Sequence, residues 1–376
     1  MIEKRTYRQC THCVMDTSDP DIKFNRDGVC NHCIQYNINV DIRTIKNNQK
    51  ERLKKLVNEI KKTARKKDYD CIIGVSGGVD STYVAYKCKE LGLNPLAVHF
   101  DNGWDSELAI KNIENVLNKL EIDLYTYVVN WEEFKDLQLS FLKASTSDSE
   151  IPTDHAIYAL LMKTASKRGI KYVISGMNYQ TESIMPISWS YGHSDWKYIK
   201  NIHKIFGNKK LRTFPKYTLF YLFYIAFIRR IKFVSLLNYF EYDNEEAMKI
   251  LVNSLNWKNY GGKHQESIYT RFFQAYILPV KFNIDKRKAH LSNLINSGQI
   301  SRDEALESLK EYPFSNQEVL EDKKYVIKKL GLTEEAFEEI MNLPRKSFHI
   351  YPNNYHTINK IKKIINFFRK KGFLPK

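Results

Sequence analysis

The stretch "IIGVSGGVDST", residues 72–82, places two glycines, an aspartate and three hydroxyls directly after an apolar run. Bare backbone N–H groups at Gly77 and Gly78, the hydroxyls of Ser76, Ser81 and Thr82, and the start of a predicted helix together form a nest for an anion. A Walker loop would carry a lysine here to grip the outer phosphates of a nucleotide, and none is present. Asp80 beside a phosphate calls for a bridging cation, so magnesium is implied.

"CTHC" and "CNHC" supply a second set of chemical residues: Cys10, Cys13, Cys30 and Cys33, in a C-x2-C-x16-C-x2-C pattern. In a reducing compartment such pairs are metal ligands rather than disulfides. Four thiolates close a tetrahedral, structural zinc site and stabilise a segment too small to fold alone. An iron–sulfur cluster is the other reading, and His12 and His32 inside the pairs are alternative ligands expected instead to face solvent.

The elements that must hold these groups alternate. "DYDCIIGV" reads as a buried strand and "STYVAYKCKELG" as a helix closed by Gly92; "PLAVHFDNGW", "DLYTYVV" and "KYVISGMN" are further strands, with helices "ELAIKNIENVLNKL" and "DHAIYALLMKTASKRG" between them. Strands alternating with helices predict an α/β fold, a parallel doubly wound sheet covered on both faces. Ligands of such sheets lie beyond the carboxyl ends of the strands, where Ser76–Thr82, Asp101 and Gly176 fall.

The bulk composition bounds the partners. The formal charge is +16, and residues 197–232 carry ten Lys or Arg and no acid, while residues 43–67 carry eleven against two glutamates. Patchy positive charge favours anionic partners: nucleotides, sugar nucleotides, RNA or lipid head groups. No charged-then-apolar leader opens the chain, and the apolar run "LFYLFYIAFI" is far short of the roughly 20 residues of a spanning helix. The expected location is the cytoplasm, with peripheral attachment to the inner face of the membrane as an option.

The glycine–aspartate turn resembles the loop of the ATP pyrophosphatase (PP-loop) superfamily, which includes NAD synthetase, GMP synthetase, asparagine synthetase and tRNA-thiolating enzymes. The resemblance implies cleavage between the α- and β-phosphates, with AMP passed to a substrate oxygen. Two families join a four-cysteine module to this loop. The tRNA thiolases need further cysteines; only Cys71 and Cys88 remain here, so a tRNA-thiolating sulfurtransferase is the alternative reading and a nucleic-acid partner is not expected. "CTHCVMDTSDP", "GVCNHC", "GVSGGVDSTYVA", "HFDNGWDSELA", "IPTDHAI", "SGMNYQTES" and the block from "YGGKHQES" to "SRDEAL" resemble, in order, the N-acetyl sugar amidotransferases of surface-polysaccharide and lipopolysaccharide O-antigen biosynthesis. That likeness implies an ATP- and magnesium-dependent ligase turning an acetamido group of a nucleotide-linked diacetamido sugar, a uronate or nonulosonate, into an acetamidino group. Ammonia would come from a separate glutaminase pair resembling the subunits of imidazole-glycerol-phosphate synthase.

By the same likeness Ser76, Gly77, Gly78, Ser81 and Thr82 hold the outer phosphates and Asp80 arranges magnesium. Asp101 meets nucleotide or metal, Gly176 and Asn178 approach the adenylate, and Glu182 is the second acidic magnesium ligand. Lys263, His264 and Glu266 of "YGGKHQES" are catalytic candidates, the lysine for phosphate charge and the other two for ammonia's protons. Lys286 and Arg287, with Arg271 and Lys281, are cations for a sugar-nucleotide diphosphate or carboxylate. Asp154 is read either as a helix cap or as a catalytic group. The expected parts are a zinc module over 1–45, a nucleotide domain over 46–195, a basic aromatic helical insertion over 196–260 and a helical remainder over 261–376. Packing on the core, docking of the ammonia-supplying partner and an interfacial membrane helix are the readings of that insertion.

Overall fold

The computed structural model describes residues 6–43, 48–260, 265–312 and 314–370. Helices α1 (Asn31–Arg43) and α2 (Gln49–Ala64) precede the first strand, β1 (Cys71–Gly74). Then follow α3 (Val79–Glu90), β2 (Pro95–Asp101), α4 (Glu107–Leu120), β3 (Leu124–Val128), α5 (Trp131–Ala144), α6 (Ile151–Arg168) and β4 (Tyr172–Ser175). The expected α/β alternation is present. Pairing is parallel throughout, in the order β3-β2-β1-β4-β5, with β5 at Lys232–Ser235.

The pleat explains the two layers. On β1, Cys71 and Ile73 point into a core with Val84, Ile113, Val116 and Leu251, whereas Ile72 points into the opposite core with Phe134, Phe141, Ala156 and Leu161. A strand buried on both faces reads as a continuous apolar run rather than an alternation. Because β1 is followed outward by β2 and then β3 on one side, and β4 lies on its other side, the strand order reverses between β1 and β4. Crevices of α/β sheets open at such a reversal.

The remaining elements are α7 (Tyr179–Glu182), α8 (Trp196–Phe206), α9 (Leu219–Phe223), which continues as a π-helix over Tyr224–Ile228, and α10 (Asn244–Leu255). The stretch read as a helical insertion therefore also supplies β5. An edge strand of four residues beginning with exposed Lys232 and Phe233 carries no run of buried apolar residues to announce it. Beyond it come α11 (Ile268–Phe272), extended as a π-helix over Phe273–Phe282, then α12 (Lys286–Ser297), α13 (Arg302–Lys310), α14 (Asn316–Leu330), α15 (Glu334–Asn342) and α16 (Tyr355–Lys370).

The cysteine segment is docked on this C-terminal part. Val14 packs with Leu291 and Ala305, its N–H donates to Ser292 Oγ at 3.3 Å, Arg302 donates to the Cys10 and Cys13 carbonyls at 3.2 Å, and Lys288 pairs with buried Asp16. Together α1 and α12 hold α7: Tyr36 Oη donates to the Gln180 carbonyl at 3.3 Å, and Asn293 Oδ1 accepts from Ile184 N at 2.9 Å.

Candidate active site

The β1 turn is built from its own hydroxyls. Ser81 Oγ accepts from Ser76 N (3.3 Å), lies 3.2 Å from Ser76 Oγ and donates to the Gly78 carbonyl (3.1 Å), where α3 begins. Gly77 sits at φ +83°, a conformation that favours glycine, and a Cβ there would lie 2.8 Å from both the Ala109 carbonyl and Tyr260 Oη. Its carbonyl is turned away from the nest and held by Trp257 Nε1 at 2.8 Å and Tyr260 Oη at 3.0 Å. Asn112 on α4 fixes that clamp through paired 2.8 Å bonds to Lys258. Thr82 is buried on the first turn of the helix.

The β4 turn lies against it. A Cβ on Gly176 would meet the Asp80 backbone at 2.9–3.0 Å, so only glycine allows the two turns to touch. Asn178 is buried and caps α7, its Oδ1 accepting from Thr181 N at 2.8 Å. Tyr242 donates to Asp80 Oδ1, and its hydroxyl is pushed well above the ordinary tyrosine range by burial and by the charges of Asp80 and Glu182. Both carboxylates therefore act on the Tyr242 hydroxyl. The carboxylate of Glu266 lies over the other side of the nest, where a Cβ on Gly78 would be 2.6 Å from it. Backbone bonding sets its position: the Glu266 carbonyl accepts from Ser106 N at 2.8 Å, and Asp105 bridges to Ser267.

The β2 turn closes the rim. Asp101 Oδ1 accepts from Gly103 N at 2.8 Å. Buried His99, which sequence reasoning passed over, contacts the Val75 carbonyl at 3.0 Å and Asp105 at 3.3 Å; burial opposes its charge, but Asp105 outweighs it and raises the pKa.

A second constellation gathers charged groups from the start of α6 and the start of α12. Asp148, Glu150 and Asp154 surround Lys286, with Glu150 and Lys286 3.9 Å apart and Thr270 donating to Glu150. The Asp154 side chain is exposed to solvent, with protein groups standing close around its carboxyl. Burial, then the charges of Asp148 and Glu150, raise its pKa to about 7 against the pull of Lys286. Glu150 is also raised, by burial first and then by the charge of Asp148, against the pull of Lys286. Burial disfavours the Lys286 ammonium, yet the three carboxylates raise its pKa. Asn102 donates to Thr153 at 3.2 Å, and burial and then the charges of Asp154 and Glu182 raise the pKa of Tyr158. Asp154 is not a cap, since Glu150 holds that position of α6. Its neighbour His155 is buried and neutral, accepting from Tyr217 N at 3.2 Å and stacked on the Tyr217 ring at 4.2 Å, with burial lowering its pKa to about 4. Of this group Lys286 was read from the sequence as catalytic and Asp154 as either a cap or a catalytic group, whereas Asp148 and Glu150 carry no local motif that singles them out.

The other expected cations serve elsewhere. Arg287 is bound to Asp285 at 2.8 Å and to the Glu311 carbonyl at 2.6 Å, Arg271 grips Asp322 through two 2.7 Å bonds, and buried Lys281 donates to the Ile340 carbonyl. Lys263 and His264 lie outside the described residues.

The four cysteines converge. Their sulfur atoms all lie within 4.8 Å of one another, all four residues are buried, and Cys13 and Cys33 each stand 3.7 Å from Cys30. Backbone N–H groups of His12, Cys13 and Cys30 point at Cys10 Sγ, and Asn296 Nδ2 donates to Cys33 Sγ at 3.4 Å. Neighbouring thiols pull Cys10 down and push Cys13 and Cys33 up, because adjacent thiolates cannot all ionise without a cation between them. The donor set fits a tetrahedral ion such as zinc. His32 is engaged by Asp19 at 2.7 Å and His12 is exposed, so neither joins the set.

Comparison with known proteins gives two family matches. Residues 43–196 match the NAD synthase family, and residues 266–364 match "LPS biosynthesis protein WbpG-like, C-terminal domain". A search of the curated proteins returned no match. Among solved structures, the NH3-dependent NAD synthetase from Campylobacter jejuni aligns at 16% identity and TM-score 0.29, covering 55% of this chain and 84% of that one. NMN synthetase from Francisella tularensis aligns at 17% and 0.26, covering 60% and 92%. A predicted tRNA methyltransferase subunit from Methanocaldococcus jannaschii aligns at 12% and 0.25, covering 49% and 75%. The chain joins an NAD-synthase-like PP-loop domain to a WbpG-like C-terminal domain of lipopolysaccharide biosynthesis, consistent with the N-acetyl sugar amidotransferases of the PP-loop superfamily.

Proposed function

We propose that this protein is an ATP-dependent carbon–nitrogen ligase that converts an acetamido group of a nucleotide-linked diacetamido sugar to an acetamidino group. The observation that supports this most is the meeting of the two matched regions. Glu266, the first residue of the WbpG-like match, lies over Gly78 of the anion nest, so a group held by the C-terminal domain faces the phosphates of a nucleotide held by the loop.

In this reading the amide oxygen attacks the α-phosphorus, pyrophosphate leaves into the nest, and the imidate carries AMP. Ammonia adds to the imidate carbon, the nitrogen loses a proton, and the C–O bond breaks to release AMP. Splitting one displacement into two removes a poor leaving group. The amides of Gly77 and Gly78 and the hydroxyls of Ser76 and Ser81 bind the departing anion, and Asp80 and Glu182 would hold magnesium, which would neutralise phosphate charge. Asp154, with a pKa of about 7, is suited to accept the proton from nitrogen, and Lys286 holds the carboxylate cluster in place. The four cysteines would hold zinc as a structural ion bracing α7 through α1 and α12. Ammonia would arrive from a separate glutaminase. No described thiol offers a sulfur carrier, since Cys71 and Cys88 are fully buried.

The test is incubation with ATP, magnesium, ammonium and a panel of nucleotide-linked diacetamido sugars. AMP and pyrophosphate should form with a product whose amide oxygen has become NH. ADP as the nucleotide product, or no turnover with any such sugar, would overturn the proposal.

A further inference from the structure

The outward side of the segment that runs into β5 presents large apolar side chains to water. Phe220 is 89% exposed, Ile228 64%, Phe223 58% and Phe227 57%, with Tyr224 beside them. One buried residue, Ile225, ties the π-helix to the core. A cluster of protruding aromatics is costly to leave in water and marks an interaction surface.

Cations stand at both ends of this helix. At its C-terminal end Arg229 donates to the Ser166 carbonyl, Lys171 donates to the Arg229 carbonyl at 2.6 Å, and Lys67 donates to the Gly169 carbonyl. Burial and then the like charges of Lys171 and Arg229 pull the Lys67 ammonium below its ordinary range. At the N-terminal end, burial and Lys216 do the same to Lys163. Exposed Arg230 adds another charge.

We propose that the segment 218–232 is an interfacial anchor that sets Phe220, Phe223 and Phe227 into the headgroup region of an anionic lipid bilayer. Lipid is the occupant that fits: the aromatics protrude into solvent and are flanked by Lys216, Arg229 and Arg230, the charge an anionic leaflet attracts, while Lys232 at the end of the segment is paired with Glu59 at 3.3 Å. Among the described residues no helix is long and apolar enough to cross a membrane, so attachment is in the plane of the surface. The helix leads into β5, the edge strand of the sheet. This proposal is independent of the catalytic reading.

Vesicle flotation tests it. The full chain should float with phosphatidylcholine–phosphatidylglycerol vesicles at low salt, bind about tenfold less to phosphatidylcholine alone, and be released by raised salt. Phe220→Ser/Phe223→Ser/Phe227→Ser and, separately, Arg230→Glu should each weaken binding at least about tenfold with unchanged thermal unfolding, since these side chains are exposed. Phe223→Trp should be quenched by lipids brominated on their acyl chains. Failure to float at low salt, parental flotation of the triple variant, or an unquenched Trp on bound vesicles would overturn the proposal.

Discussion

Asp154→Asn removes one proton-accepting oxygen while keeping size and shape. The carboxyl's pKa is raised from an ordinary value near 4 to about 7, by burial first and then by Asp148 and Glu150. A base must be ionised, so at fixed free ammonia activity should climb with pH through about 7, with roughly a tenth of the maximum one unit below. Asp154→Asn should lower kcat by about 10²–10⁴ and abolish that acid limb. Neighbours give the diagnostic. Lys286→Met removes the cation that favours ionisation and should move the limb to higher pH; Asp148→Asn removes a repelling charge and should move it to lower pH. Stability should respond in the opposite sense to activity. A carboxyl with a raised folded pKa destabilises the native state as pH rises above its ordinary value and through 7, so Asp154→Asn should be at least as stable as the parent at pH 8. The assay is AMP release under saturating sugar, with free ammonia held constant across pH. Parental rates in Asp154→Asn, or a limb unmoved in both neighbour variants, would refute the reasoning.

Three further outcomes follow from the packing. Gly77→Ala forces a side chain into a left-handed turn 2.8 Å from the Ala109 carbonyl; it should cost about 1–3 kcal/mol and abolish the thermal shift given by ATP. His155 is buried and neutral with a pKa of about 4, so folding loses stability as pH falls from 6.5 toward 4, by about 3 kcal/mol in full; His155→Gln should flatten that dependence in denaturant titrations across pH. One zinc ion per chain should be found by elemental analysis, and its removal by a strong chelator, or Cys30→Ser, should lower Tm by several degrees because Cys10 and Cys13 carry the carbonyls that Arg302 grips.

The anion nest was legible in the sequence because every group that builds it lies within residues 76–82, and local spacing fixes local geometry. The cysteine pairs were legible for the same reason, each pair being one turn. Strand–helix alternation announced the parallel sheet, since strands buried on both faces must be apolar runs. What the sequence could not disclose depends on pairings across long separations. Tyr242 reaches Asp80, Trp257 and Tyr260 hold the Gly77 carbonyl, and Asp148 and Glu150 meet Lys286 only after α6 and α12 are brought to one rim. Side-chain identity records what a residue can do, but a shifted pKa such as that of Asp154 arises from neighbours that folding alone assembles. Chemistry local to a turn was therefore written in the chain, whereas the electrostatics of the cleft were decided by the tertiary structure.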